Sequence, residues 1–364
     1  MRTGLKILTA LGSALLSLST LAAEPPVLNI YNWSDYIDPD ALKEFEQEYG
    51  INVNYDIYDS SEMVDTKLLT GGTGYDLVVH SSGFSARLSA IGVYQPIDRS
   101  ALSNWQHIDK DIIKKIERNY KQPLLGMPYM WGTTGLTYNV DMIRERMPNA
   151  PVDSLDLIFD PEIAAKFADC GISFLDDPTT VIPFAMLYLG YPPASVEPEH
   201  LAEAEQLLKG VRPYIKYFSS TKMLLDLPSK EVCIAMTWSG DYSVAISRAA
   251  EAGLDINLAY SVPIEGSIDW YDVIYIPSDA RHIDNAHLFL NFMLRPEIIA
   301  RTTDYVGYAN ANLTATPLVD PAITSDIGIY PDAETRKRLF PSIILGPKLE
   351  RRRSRTWTKI KSGL

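Results

Sequence analysis

Aromatic rings and carboxylates stand side by side at several places in this 364-residue chain. Trp33-Ser34-Asp35-Tyr36 follows a short apolar run at 27–30, and Ser81-Ser82 follows another at 76–80. Trp238 and Asp241 close a third at 232–238, and Asp269-Trp270-Tyr271-Asp272 and Tyr308 stand further on. A ring face attracts positive charge and a carboxylate pairs with it, so these sets suit an organic cation. The rings would sandwich an aliphatic stem while the carboxylates take ammonium groups at its ends. Singly, each set also fits a loop whose aromatic packs onto the core. Their recurrence at strand or helix ends points to one shared cage, because open α/β sheets bind small molecules beyond the carboxyl ends of their strands.

The elements around these sets alternate. After the strand at 27–30, residues 40–49 carry Leu42, Phe45 and Tyr49 on one helical face and stop at Gly50. Ile51, Val53, Tyr55 and Ile57 alternate with polar residues, as in a half-buried strand. Ser60-Ser61 can cap a helix to Leu69, and 76–80 is a short strand buried on both faces. This βαβαβ unit predicts a parallel sheet. Near 127–139 two extended runs flank Gly132-Thr133-Thr134 and predict the crossing into a second lobe. That lobe is expected to hold helices at 161–168, 180–189, 198–208 and 241–252 and strands at 171–175, 214–218 and 232–238. Strands at 256–262 and 273–276 are expected back in the first lobe, with helices near 284–305, 333–340 and 350–361. The predicted fold is α/β with two lobes: 24–132 and 254–305 in one, 133–253 and 306–364 in the other. Such a clamshell closes on a ligand by bending at its lobe boundary.

Residues 1–23 have the parts of a secretory signal: Arg2 and Lys6, an apolar stretch over 7–21, and Ala22-Ala23 at the exit. No Cys follows it for a lipid anchor, and no later segment reaches the roughly 18 apolar residues of a membrane span. The expected product is exported to the periplasm. Losing the signal takes the net charge from −13 to about −15, which excludes a nucleic-acid partner. A basic run, Arg351, Arg352, Arg353, Arg355, Lys359 and Lys361, reads as a solvated helix face. Cys170 and Cys233, an even pair in an exported chain, read as one disulfide closing a loop of about 63 residues, for roughly 4 kcal/mol.

The chain resembles the periplasmic polyamine-binding proteins, the putrescine/spermidine receptors of bacterial ABC importers. The strings that carry the resemblance are Tyr31-Asn32-Trp33, Met127-Pro128-Tyr129-Met130-Trp131, Cys170-Gly171, Trp238-Ser239-Gly240-Asp241, Tyr308-Ala309-Asn310-Ala311-Asn312 and Arg355-Thr356-Trp357-Thr358-Lys359. It implies a type II periplasmic-binding fold with the amine held between the lobes by Trp33, Ser34, Asp35, Tyr36, Ser81, Trp238, Asp241, Trp270, Asp272 and Tyr308. Trp238, Trp270 and Tyr308 would flank the stem, Asp241 and Asp272 would hold one amine, and Asp35 and Ser81 would help at others. It also implies the Cys170–Cys233 pairing, an inner-membrane ABC permease as partner, a monomer, no cofactor and no catalytic step.

One departure bears on the ligand. Where the family tends to carry an acidic residue for the far amine, this chain has Pro178-Thr179-Thr180. Either Asp176 or Asp177 substitutes where Thr180 stands, or a water does, or the ligand is a longer polyamine or an amine whose far end is neutral or solvated. Agmatine, cadaverine, histamine and γ-aminobutyrate are the neighbouring alternatives; a ligand with a carboxylate would need a basic residue, and none stands at the mapped positions. The enzyme-class rival is an exported glycosidase using Asp176-Asp177 or Asp269/Asp272 as its acid pair. Gly71-Gly72-Thr73-Gly74 lacks a phosphate-loop ending and leads into a strand, so it is a turn. The five histidines are too scattered for a metal site.

Overall fold

A computed structural model describes residues 26–363, so the expected signal segment lies outside the described residues. Strands β1 (Val27–Trp33), β2 (Asn52–Tyr58) and β3 (Leu77–Ser81) run parallel in the order β2-β1-β3. Each return passes through a helix, Pro39–Tyr49 and Ser61–Leu69, as parallel pairing requires. The first helix begins where Asp38 accepts from the Asp40 N–H. It ends at Gly50, whose left-handed backbone returns an N–H to Glu46. After the short strand β4 (Tyr94–Gln95), the helix Lys110–Tyr120 buries Ile112, Ile113 and Ile116.

The long strand β5 (Met127–Asn139) then leaves one hydrophobic core and enters another. Met127 to Trp131 pack with Leu28, Phe45 and Phe289, whereas Leu136 packs with Phe159, Phe174 and Met236. Strands β6 (Ile172–Phe174), β7 (Ile215–Phe218) and β8 (Ile234–Trp238) build the second lobe's parallel sheet in the order β8-β6-β7. Cys170 and Cys233 form a disulfide at the entries of β6 and β8. β9 (Leu258–Ser261) pairs with β5, and β10 (Ser267–Pro277) runs back beside β5 into the first core. β11 (Ala309–Asn310) pairs with β5, and β12 (Leu339–Pro341) with the start of β10. The strands thus join as β2-β1-β3-β10-β5-β8-β6-β7. No helix among the described residues is long and apolar enough to cross a membrane.

The structure departs from the sequence expectations in five places. β9 pairs with Leu136 to Asn139 of β5, so Leu258 packs in the second core, while Tyr260 still packs against the first. Val306, Tyr308, Ala309, Ala315 and Ile329 pack in the first core, because the Ala311 carbonyl accepts from Asp109, the Leu313 N–H donates to His107 and β11 pairs with β5. β10 begins at Ser267 rather than near 273, with every residue buried. The helix expected over 333–340 stops at Lys337, and β12 takes over at Leu339. The basic run is not all solvated: Arg353 is buried against Glu350, and Lys361 pairs with Asp176.

Candidate ligand cleft

Trp33, Ser34, Asp35, Tyr36, Ser81, Thr180, Trp238, Asp241, Trp270, Asp272 and Tyr308 all line one open cleft of about 1660 Å³ between the lobes. From the first lobe, the exit of β1 supplies Trp33 to Tyr36. The end of β3 supplies Ser81, which pairs directly with Asp272 across the antiparallel β3–β10 ladder, so the two side chains share a face. Trp270 and Asp272 are not at a strand exit, as the sequence suggested, but inside β10. Two residues apart, they point to one face, and that face is the cleft. Asp269 and Tyr271 take the opposite face, where Asp269 pairs with Lys115 and accepts from the Tyr271 hydroxyl at 2.8 Å. Asp269 and Asp272 therefore do not confront one substrate, which removes that acid pair from the glycosidase reading.

From the second lobe, β8 ends in Trp238, and Asp241 opens the helix Asp241–Glu251. Asp241 accepts from the Trp238 N–H at 3.0 Å and from the Tyr308 hydroxyl at 2.7 Å. Tyr308 crosses edge-on to Trp270 and to Tyr36, with ring centroids 5.3 Å apart in both cases. Trp33 of one lobe faces Trp238 of the other at 6.4 Å. Two glycines permit this crowding: a Cβ at Gly132 would strike the Trp270 ring, and one at Gly240 would strike the Tyr308 ring.

Asp241 and Asp272 are each only 6% exposed, and no Lys, Arg or His forms an ion pair with either among the described residues. Burial pushes the Asp241 carboxyl up to about 7, although the hydrogen bonds from Tyr308 and Trp238 oppose it. Burial likewise pushes Asp272 up to about 7. The Tyr36 hydroxyl faces Asp272 and opposes that shift, without closing a hydrogen bond. The Trp33 and Trp270 indole N–H groups and the Thr134 hydroxyl are also buried without a partner. Of these three, Thr134 had no signal in the sequence.

Other expected residues are already engaged. Asp35, in the left-handed backbone region at φ 53°, pairs with Arg248 at 2.9 Å across the cleft mouth. Asp177 caps the helix Pro178–Tyr188 and accepts from the Thr179 N–H and from the Thr179 and Thr180 hydroxyls. Asp176 accepts from the Trp357 indole and from Lys361, so neither acid is free as a catalytic partner. Basic residues do reach the lining: Lys222, and Arg248, which pairs with Asp35 and whose charge also opposes the upward shift of Asp241. The β2 exit, Tyr58-Asp59-Ser60-Ser61, also lines the cleft. It carries the same aromatic–acid signature as the β1 exit, and its Ser60 both caps the helix Ser61–Leu69 and lines the cleft.

Two α/β lobes around an open cleft define a solute-binding protein, and the chain belongs to the bacterial extracellular solute-binding proteins, whose family model matches residues 40–330. Within that class its relatives are polyamine-binding proteins. It is 45% identical to the putrescine-binding periplasmic protein PotF of Escherichia coli, over 95% of this chain and 94% of that protein. It is 46% identical to the putrescine-binding periplasmic protein SpuD of Pseudomonas aeruginosa, over 94% of each. The solved spermidine/putrescine substrate-binding protein PotD of Streptococcus pneumoniae superposes with a TM-score of 0.77 and 31% identity, over 93% of this chain and 99% of that one.

Proposed function

We propose that this chain is the periplasmic receptor that delivers a linear aliphatic amine of the putrescine–spermidine class to an inner-membrane ABC permease, with no catalytic step. The observation that carries this reading is the pair Asp241 and Asp272. Both carboxyls are buried among Trp238, Trp270, Tyr36 and Tyr308, and neither has a cationic partner. An ammonium group would supply the missing charge, and the rings would cover its stem. The Tyr308 hydroxyl, held protonated by burial, would remain a donor to Asp241, and the Tyr36 hydroxyl, likewise protonated, would be free to donate to Asp272. The roles of the other lining residues follow: Trp238, Trp270 and Tyr308 flank the stem, Trp33 closes one side, and Ser81 supports Asp272. The identity to PotF and SpuD along nearly the whole chain supports the same reading.

Calorimetry of the mature protein against putrescine, cadaverine, spermidine, spermine and agmatine tests it. Saturable binding of at least one is expected. Silence toward all five, together with binding of a sugar or an anion, would overturn it.

A further inference from the structure

The two ends of the cleft differ in chemistry. On the second lobe's wall the strands lie in the order β8-β6-β7, about 4.8 Å apart, so their exits form a row. The β8 exit carries Asp241, which lines the cleft together with Asp272 and, like it, has no ion-pair partner among the described residues. One strand along, the β6 exit carries Asp176, Asp177, Thr179 and Thr180; a second strand along, the β7 exit carries Ser220, Thr221 and Lys222. Every carboxylate in that stretch is already satisfied. Asp176 is held by Lys361 and Trp357, and Asp177 by three donors from Thr179 and Thr180 at the start of a helix. Asp226 behind them is paired with Lys222 at 2.8 Å.

We infer that the β6–β7 end of the cleft takes an uncharged hydrogen-bonding group. The preferred ligand is then a linear amine with one ammonium at Asp241 and Asp272 and an acylamide at its far end, that is, a mono-N-acylated diamine. This rests on the amine reading above and refines it. Thr180, at the start of the helix that follows β6, lines the same cleft as Asp241 and is the side chain the far end of a ligand lying along this wall would meet. There a second ammonium would meet Thr180, 4% exposed and already donating its hydroxyl proton to Asp177, with the Lys222 ammonium in the same lining. Such a charge would be desolvated unless Asp177 gave up the threonine donors that hold it. An amide suits the same place. The Thr180 hydroxyl oxygen has lone pairs left for its N–H, and the Ser220 and Thr221 hydroxyls and Lys222 can donate to its carbonyl.

The test is calorimetry of the mature protein with putrescine and with N-acetylputrescine at pH 7.5, on the unmodified chain and on Thr180→Glu and Thr180→Val. The unmodified protein should bind N-acetylputrescine at least tenfold more tightly than putrescine. Thr180→Glu should reverse that order, and Thr180→Val, isosteric with the hydroxyl removed, should lose several-fold for the acylated ligand alone. Putrescine binding as tight as or tighter than N-acetylputrescine would overturn the inference while leaving the amine reading intact. It would mean that Asp177 releases its threonine hydroxyls to a second ammonium. Silence toward both compounds and toward spermidine would overturn the two together.

Discussion

Asp76 and Asp269 are as deeply buried as Asp241 and Asp272, yet the two pairs live in opposite surroundings. Asp76 accepts from the Asn29 backbone and side chain, from the Arg281 and His282 N–H groups and from the His282 ring, all between 2.9 and 3.1 Å. Burial disfavours its charge, but the His282 ring and those backbone donors outweigh it and hold the carboxyl below its ordinary value. Asp269 has Lys115 and the Tyr271 hydroxyl. Asp241 and Asp272 have no such cation, and burial wins. A buried carboxylate with a full set of donors is part of the scaffold, fixing one chain segment against another. One left short of donors beside aromatic rings destabilises the empty protein.

The comparison breaks most visibly through substitution of one member of each pair by its neutral isostere. Asp272→Asn should weaken amine binding by about 2–5 kcal/mol, since a close charge pair is lost. The same variant should make the ligand-free protein more stable at pH 8 and leave it nearly unchanged at pH 4. The sign follows from the raised pKa. Its contribution to stability is complete below the unfolded value of about 3.9 and is lost as pH rises through about 7. Asp76→Asn should do the reverse, costing about 3 kcal/mol or more of stability because five donors lose their acceptor charge, with binding retained in the folded fraction. Thermal melts at the two pH values, with calorimetry alongside, separate these outcomes; equal losses of stability from both variants would erase the distinction.

The rings sharpen it at the next level. Trp238→Ala and Trp270→Ala should each cost about 2 kcal/mol or more in amine affinity, through lost packing and lost attraction to the ammonium. A loss below about 0.5 kcal/mol for both would place the stem elsewhere. The smallest effect belongs to the mouth. Asp35 is paired with Arg248 and is more than half exposed, so Arg248→Ala should change affinity by less than about 1 kcal/mol. A larger loss would mean that the pair closes the cleft, and a clear gain would mean that Asp35, once freed, takes an ammonium itself.

The lining of the cleft was more legible than the scaffold around it. Trp33 to Tyr36 and Trp238 with Asp241 announce themselves because an aromatic beside an acid at the end of an apolar run has little to do in a core. Trp270 and Asp272 were found by the same signature but set in a loop, since two acids in four residues argue against a buried strand. What permits the strand is Lys115, which stands 154 positions earlier and neutralises Asp269. Lys115 itself lies on the helix Lys110–Tyr120, announced by the Asp109 cap and by Ile112, Ile113 and Ile116 on one face, and passed over. Arg248 gave no signal, because a basic residue on an amphipathic helix reads as solvated until a neighbouring lobe is placed against it. The core that Leu258 joins, and the one that residues of 306–329 join, differ from the expectation for a related reason. Both lie on short segments whose side is chosen by partners on β5 and around His107 rather than by their own pattern.

The account stands on Asp241 and Asp272 as the carboxylates that meet the ammonium, and proton exchange on binding measures that directly. With both carboxyls near pKa 7, each is about half protonated at pH 7 in the empty cleft, and an ammonium ligand requires both ionised. Calorimetric titration with N-acetylputrescine and with putrescine at pH 7, in two buffers of different ionisation heat, should report release of about one proton per ligand bound. Release should fall by about half in Asp272→Asn, and affinity in the unmodified protein should drop by about fivefold per carboxyl between pH 7 and pH 6. Tight binding with no proton released, and with an affinity flat from pH 8 to pH 6, would contradict it.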